Sequence, residues 1–394
     1  MTLLALTTES FRNLAPEKLE LHPRLSLLVG DNGQGKTNLL EAMVLVSGRS
    51  SFRTSDLAEV RAGGAPLATV AARIAQEKTE RTGTLAVSIG AEAREQLWEG
   101  RRISRLEASR LLPLVPLTSA DLDRLNGAPS GRRRALDRLA AALDPEHGRR
   151  LSRFEKARAC RARLLSRRSA DRDELAVYEA DFCRAGGALA EGRRTALSLL
   201  APELARQAER LQSPFAPVDV RLRSDLPASG TAAELGAALE ELLLCRREEE
   251  RRAGRCLVGP QKDDVGVLSG DVPVTSRASS GENRTLVLAW TLAELALTAQ
   301  ASAPHAPVLL FDDFDSEWDP NVLTTFASAI PDNAQLVLTS ARPEAVEGLA
   351  FGDGALYQVA EGRVRSVRSL ASHFMMGAPR ALRPPTPPRL VRSA

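Results

Sequence analysis

The sequence predicts an α/β fold in which mixed sheets carry a phosphate-binding loop and a helical lobe is inserted between the two halves of the site. Three observations lead there. The octapeptide Gly30-Asp31-Asn32-Gly33-Gln34-Gly35-Lys36-Thr37 follows the apolar run Leu25–Val29 and opens a helix-patterned stretch, 38–47. Far downstream, the apolar run Val308–Phe311 ends in Asp312 and Asp313. Between them, over residues 129–256, the pattern changes to long arginine-rich helical segments.

In chain order, residues 1–125 read as strand-rich, with apolar or alternating runs at 3–8, Leu25–Val29, 67–74 and 84–89 and a hairpin at Glu99-Gly100. The helix after Lys36 and a short one at 104–112 interrupt them. Residues 126–256 form the inserted lobe, punctuated at Asp144-Pro145, Gly186-Gly187 and Pro202. No a/d heptad survives those breaks, so a compact lobe is expected instead of an extended rod. Residues 257–375 return to the sheet, with an apolar helix at 285–298, the acidic strand, and a final strand at 335–339. The tail 376–394, rich in Pro and Arg and without acids, has little to bury and reads as disordered.

The chemistry follows from the residue types. Glycines let successive N–H groups of the loop turn inward onto phosphates, and the following helix adds its positive end. Lys36 supplies a mobile cation for catalysis, and Thr37 an oxygen for a magnesium ion. Of the two carboxylates, Asp312 is assigned to the metal and Asp313 to the water that attacks the γ-phosphate. ATP and Mg²⁺ are therefore the expected cofactors.

Composition narrows the classes. The chain of 394 residues allows two or three domains, and a formal charge of +3 is mild. Arginine far outnumbers lysine, which suits guanidinium contacts to phosphate and equally a coding bias. Cys160, Cys183, Cys245 and Cys256 form no C-x-x-C pair, so neither a zinc site nor a disulfide framework is indicated. The apolar N-terminus lacks a basic region and reads as a first strand. The longest apolar stretch is broken by Glu294 and is too short to span a bilayer. A cytoplasmic protein with no membrane partner is expected.

Residues 278–284, Ala-Ser-Ser-Gly-Glu-Asn-Arg, stand directly before the apolar helix. They resemble the signature motif of ABC-type ATPases, in which a serine hydroxyl, a glycine N–H and a helix N-terminus form a second anion site. Ser279 and Gly281 would then reach, in trans, the γ-phosphate held by a second subunit. Asp319, in the segment Ser316 to Asp319 where that superfamily has its D-loop, would lie at the same seam. The fold class is thus a P-loop ABC-type ATPase head with mixed sheets plus an inserted helical lobe, dimerising on ATP.

Together these landmarks resemble the RecF family of bacterial recombination mediators, from Phe11-Arg12-Asn13 to about Val367. Pro129 to Arg134 with Leu136-Asp137, Gly259 to Asp264, and Asp312 to Asp319 point to that family in particular. The resemblance implies Arg12 and Asn13 beside the nucleotide phosphates. It also implies binding of double-stranded DNA by an ATP-dependent dimer, with RecO and RecR as partners in loading RecA at single-strand gaps. The match departs at Gln261 and Lys262, where His-Arg is usual, and at Glu282-Asn283, which brings negative charge near a phosphate site.

Residues 132–172 hold fourteen Arg or Lys against five acids. Such a stripe, Arg132, Arg133 and Arg134 included, reads either as a salt-sensitive DNA contact or as a solvated helical face laced with ion pairs. The groove across the dimer is the other candidate for DNA. A transporter ATPase subunit would share the loop and signature. It would usually carry a histidine after the strand 335–339, where Ser340 stands, while the histidines here are His22, His147, His305 and His373. A structural SMC protein would need hundreds of coiled-coil residues in the 243 positions between Lys36 and Ser279. Aspartate at 313, shorter than the usual glutamate, and the missing histidine predict slow hydrolysis, and with the resemblance a weak DNA-stimulated ATPase is expected.

Overall fold

Within a computed structural model, the described residues are 2–370, except 76–81, 92, 123, 168–171, 304, 315–317 and 343–352. The tail 376–394 and two residues of the segment 316–319 thus lie outside them.

Three sheets are found among the described residues. The central one runs in the order Arg363–Ser369, Gly354–Ala360, Leu25–Val29, Gln335–Ser340, Val308–Phe311, Leu114–Leu117, parallel throughout except for its antiparallel edge strand Arg363–Ser369. The strands Leu25–Val29, Val308–Phe311 and Leu114–Leu117 are buried, largely apolar runs because both faces are covered there. Leu25, Leu27, Leu309, Phe311, Leu336 and Leu338 enter one core, and Leu28, Val308, Leu310 and Val337 enter the other. The first core holds the apolar helix Ser280–Ala301, and the second the helix Lys36–Val46 with an antiparallel sheet that begins at Thr2–Glu9.

Long-range polar contacts lock these layers. The Gln335 amide accepts from Leu3 N–H at 2.8 Å and donates to Leu3 C=O at 2.8 Å, joining the two sheets. Gln96 donates to Val46 C=O at 3.0 Å and closes the far end of the helix Lys36–Val46.

Several elements differ from the sequence reading. The strand Leu114–Leu117 was not anticipated, since four apolar residues beside a proline carry no period. Gln335–Ser340 is not the last strand: Gly354–Ala360 and Arg363–Ser369 follow it. Gly186-Gly187 and Pro202 do not break the lobe but lie inside one helix, Arg172–Arg210. At Gly187 a Cβ would meet Ala232 C=O at 2.2 Å, so the glycine lets the helix Ala232–Ala253 cross in close contact. The lobe also contains the strand Val218–Arg223, which pairs with Asp264–Ser269 beyond position 256.

The lobe has its own core around Phe154, Phe182, Leu235 and Leu239. Ion pairs bind it to the head. Arg138 Nε donates to buried Glu294 at 3.0 Å, which explains a carboxylate in the middle of an apolar helix.

Candidate nucleotide-binding site

The strand Leu25–Val29 delivers the chain into the loop 30–37 beneath the neighbouring strand Gly354–Ala360. A Cβ on Gly30 would lie 2.1 Å from Val359 C=O, so only glycine passes there. Gly33 and Gly35 take φ of +82° and +114°, the left-handed region that lets the backbone curl. Gly35 caps the helix Lys36–Val46 without any side-chain acceptor, leaving its first N–H groups to an anion. Lys36 Nζ folds back onto the carbonyls of Gly30 at 2.5 Å and Asp31 at 3.1 Å. Asp31, Asn32 and Gly33 form the exposed crest.

The loop is held from outside by contacts the sequence did not announce. Gly362 N–H donates to Gln34 C=O at 2.9 Å, and Glu361 N–H to Gln34 Oε1 at 2.6 Å. Both residues sit in the two-residue turn between the last two strands, each with positive φ. Asn13 completes the brace, donating from Nδ2 to Gly33 C=O at 3.2 Å and accepting from Asn38 at 2.6 Å.

Arg12 does something else. Its guanidinium grips Glu41 in a two-pronged pair at 2.8 and 2.9 Å and also donates to Glu59 C=O. Glu41 is fully buried on the helix after the loop and requires a cation there, so Arg12 ties the segment after the first strand to that helix.

At the acidic strand end, Thr37 Oγ1 donates to Asp312 Oδ1 at 3.1 Å and Thr339 Oγ1 donates to the same oxygen at 2.7 Å. Thr339 also accepts the Asp313 N–H at 2.8 Å. Burial pushes the Asp312 carboxyl above the ordinary carboxylate range, and the Asp313 charge adds to this against the opposing hydrogen bonds and Lys36. Asp313 itself takes a φ of +51°, turning out of the strand. Thr339 was missed because a threonine at a strand end carries no motif. Its only signal is its place on the strand that lies between the loop strand and the acidic strand.

The oxygen set suits magnesium, a hard cation that takes carboxylate and hydroxyl donors. Asp312 Oδ2 accepts no hydrogen bond among the described residues, and the Thr37 hydroxyl lies beside it. Phe311, packed edge-on to Phe314, Trp318 and Phe326, anchors this strand end.

The signature residues lie elsewhere. Ser279 caps the helix Ser280–Ala301, its hydroxyl accepting from Glu282 N–H at 3.3 Å while Glu282 accepts from Ser279 N–H at 2.7 Å. Glu282 is thus the third residue of a capping box, and those bonds hold its carboxyl below the usual range. A Cβ on Gly281 would meet nothing within 4 Å. Ser279, Gly281, Trp318 and Asp319 line one open concavity of about 330 Å³, and no residue of the loop 30–37 borders it. Asp319 caps the helix Pro320–Ala329 through Asn321 N–H at 2.8 Å.

The three arginines considered for DNA part company. Arg132 pairs with both carboxylate oxygens of Asp264, at 2.7 and 3.0 Å, and donates to Leu125 and Gly127 carbonyls, so its charge is largely matched within the chain. Arg133 donates to Asp263 C=O at 2.6 Å, and Arg134 is exposed. Arg161, from the same stripe, is buried against Glu179 and Glu250. The stripe therefore shows solvent less charge than its sequence suggests.

This fold, with a phosphate loop beside an acidic strand end and a helix-capping serine apart from them, defines an ABC/SMC-type ATPase head, and residues 2–361 match the RecF/RecN/SMC N-terminal domain family. The DNA replication and repair protein RecF of Anaeromyxobacter sp. (strain Fw109-5) is 35% identical over 378 residues, 92% of this chain and 99% of that protein. RecF of Myxococcus xanthus is 32% identical over 379 residues, 92% and 97% of the two chains. The chain belongs to the RecF family of DNA replication and repair proteins. In fold it superposes on a solved recombination mediator RecF-ATPrS with a TM-score of 0.82 at 22% identity, covering 93% of this chain and 98% of that one. An Smc head bound to the C-winged helix domain of ScpA gives 0.54 at 17% identity, covering 96% and 100%. Among the described residues no helix is long and apolar enough to cross a membrane.

Proposed function

We propose that this chain is an ATP-gated DNA clamp of recombinational repair. Two copies close head to head around ATP, hold double-stranded DNA, and assist RecA loading at single-strand gaps in the cytoplasm, with RecO- and RecR-type mediators as partners. One observation carries this reading. The phosphate loop and the surface formed by Ser279, Gly281 and Asp319 do not border a common pocket within one chain, which supports a second copy supplying the other half of the site.

In this assembly the loop N–H groups and Lys36 receive the β- and γ-phosphates, while Thr37 and Asp312 hold Mg²⁺, which neutralises phosphate charge. Asn13 acts on the nucleotide through the loop that it braces. Asp313 orients the attacking water. Its side chain is one methylene shorter than glutamate, which supports slow hydrolysis that ends the DNA-bound state, with DNA as the stimulus. The lobe 126–256, together with the small sheet it shares with residues beyond 256, is the part assigned to DNA.

The test is the size of the protein in solution with ATP, ADP or no nucleotide, with and without duplex DNA. Wild type is expected to dimerise only with ATP, Lys36→Met not to bind ATP, and Ser279→Arg to bind ATP yet remain monomeric. A Ser279→Arg protein that dimerises like wild type removes the trans assignment.

A further inference from the structure

A second cavity, of about 560 Å³, opens where the helical lobe meets the turn Pro260–Lys262. Its cations come from separate segments: Arg133 and Arg134 from the helix Pro129–Leu143, Arg158 from Pro145–Leu165, Arg255 from just beyond Ala232–Ala253, and Lys262 from the turn. The acids in its lining are already engaged. Asp137 is held by Arg193 at 2.8 Å, and Glu155 by Arg158 at 2.6 Å. Arg134, Arg255 and Lys262 are exposed and have no ion-pair partner among the described residues. Three parts of the chain thus bring unpaired positive charge to one concavity.

We propose that this cavity is a phosphate-binding site, separate from the loop 30–37, that takes consecutive backbone phosphates of a nucleic-acid strand. The source of those phosphates rests on the DNA reading above; the phosphate chemistry does not. The volume falls in the range of small-ligand sites, roughly 300–1,000 Å³, which suits a strand or strand end. The lining carries no aromatic ring, so bases have nothing to stack on and binding is indifferent to sequence. Burial, and then the neighbouring Arg193 charge, lower the Arg133 guanidinium below its ordinary value, a repulsion that a bound anion relieves. Here the segment Pro129 to Asp137 and the turn that includes Gln261 and Lys262 come together, and exposed Lys262 belongs to the lining.

The test compares Arg134→Glu/Arg255→Glu with Arg101→Glu/Arg110→Glu, an equal charge change at exposed positions of the head outside the cavity. Thermal midpoints establish that both fold. Anisotropy of a labelled duplex with a single-stranded extension is titrated with ATP present at several salt concentrations. The cavity pair is expected to lose about tenfold in affinity and to flatten the salt slope by about one and a half, with the control pair changed far less. Equal losses in both pairs overturn the proposal.

A second arm titrates inorganic tripolyphosphate into Lys36→Met, whose nucleotide cradle is disabled, with and without the cavity substitutions. Binding abolished by the cavity pair, in a protein that binds no DNA, keeps the phosphate site and assigns it to free polyphosphate. No binding in either arm removes it.

Discussion

Thr339 Oγ1 lies 2.7 Å from Asp312 Oδ1 and donates to it, while accepting the backbone N–H of the next acid in the chain. One hydroxyl therefore sets the orientation of the carboxylate assigned to the metal and the start of the turn that presents Asp313. Thr339→Val keeps the volume and removes both bonds. Loss of the donor is expected to raise the Asp312 carboxyl further and weaken magnesium-dependent ATP binding about tenfold, about 1.4 kcal/mol, with little change in metal-free nucleotide binding. Titration with a fluorescent ATP analogue, with and without magnesium, checks this; equal loss in both conditions contradicts it.

The same carboxyl sets a pH dependence. Its folded pKa is raised, so in the free protein the stability it contributes is present at low pH and lost as pH rises through that pKa. Metal binding needs the ionised form and has the opposite sign. Affinity for Mg·ATP is therefore expected to fall on acidification at a pH above the usual aspartate range, and Thr339→Val should move that midpoint upward. A midpoint that Thr339→Val leaves in place contradicts this account.

Gly362 holds the phosphate loop from a distance of more than three hundred residues in sequence. At φ +73° a Cβ would stand 1.9 Å from Asn13 C=O, so Gly362→Ala must displace either the turn or the segment that carries Asn13. A cost on the order of 1–3 kcal/mol in stability is expected, together with weaker ATP binding, since Gln34 loses its anchor. Chemical denaturation and ATP titration of the same variant read the two effects, and unchanged ATP affinity would sink the bracing role.

Arg193 joins Asp137 of the lobe and Asp263 just beyond it at 2.8 Å each, with His147 against Asp137 at 3.0 Å. Arg193→Met leaves two carboxylates buried without their cation, and a loss of about 3–5 kcal/mol is expected. Adding Asp137→Asn and Asp263→Asn should restore part of that loss. A triple variant no more stable than the single one contradicts this account of the lobe joint.

Glu282→Gln keeps an acceptor for Ser279 N–H but removes a charge beside the surface assigned to the partner's γ-phosphate. The helix should stay capped and the ATP-dependent dimer should tighten several-fold at low salt. Sedimentation across a salt series measures it, and a dimer weakened at every salt concentration refutes the assignment.

Sequence and structure agree where chemistry is local. The loop 30–37 and the acids 312 and 313 were legible because strand, turn and helix follow one another within a few residues, and glycine, lysine and carboxylate each have few alternative uses in that order. The membership of the RecF family was legible in the same motifs. The joint between Pro129 to Asp137 and Gly259 to Asp264 was visible only as two unrelated segments. Their meeting through Arg132–Asp264 and Arg193–Asp263 is a property of the fold.

What the sequence by itself determined is the glycine-rich loop between a strand and a helix, the acidic end of the strand Val308–Phe311, and the order in which these parts occur. Tertiary structure alone decided which arginine faces which acid: Arg12 goes to Glu41, Arg132 to Asp264 and Arg138 to Glu294, leaving Arg134 and Arg255 exposed. It also decided that Thr339 and the turn at Gly362 belong to the site. The physical reason is that a buried charge takes whichever opposite charge the packing brings within reach, and that partner can lie anywhere along the chain.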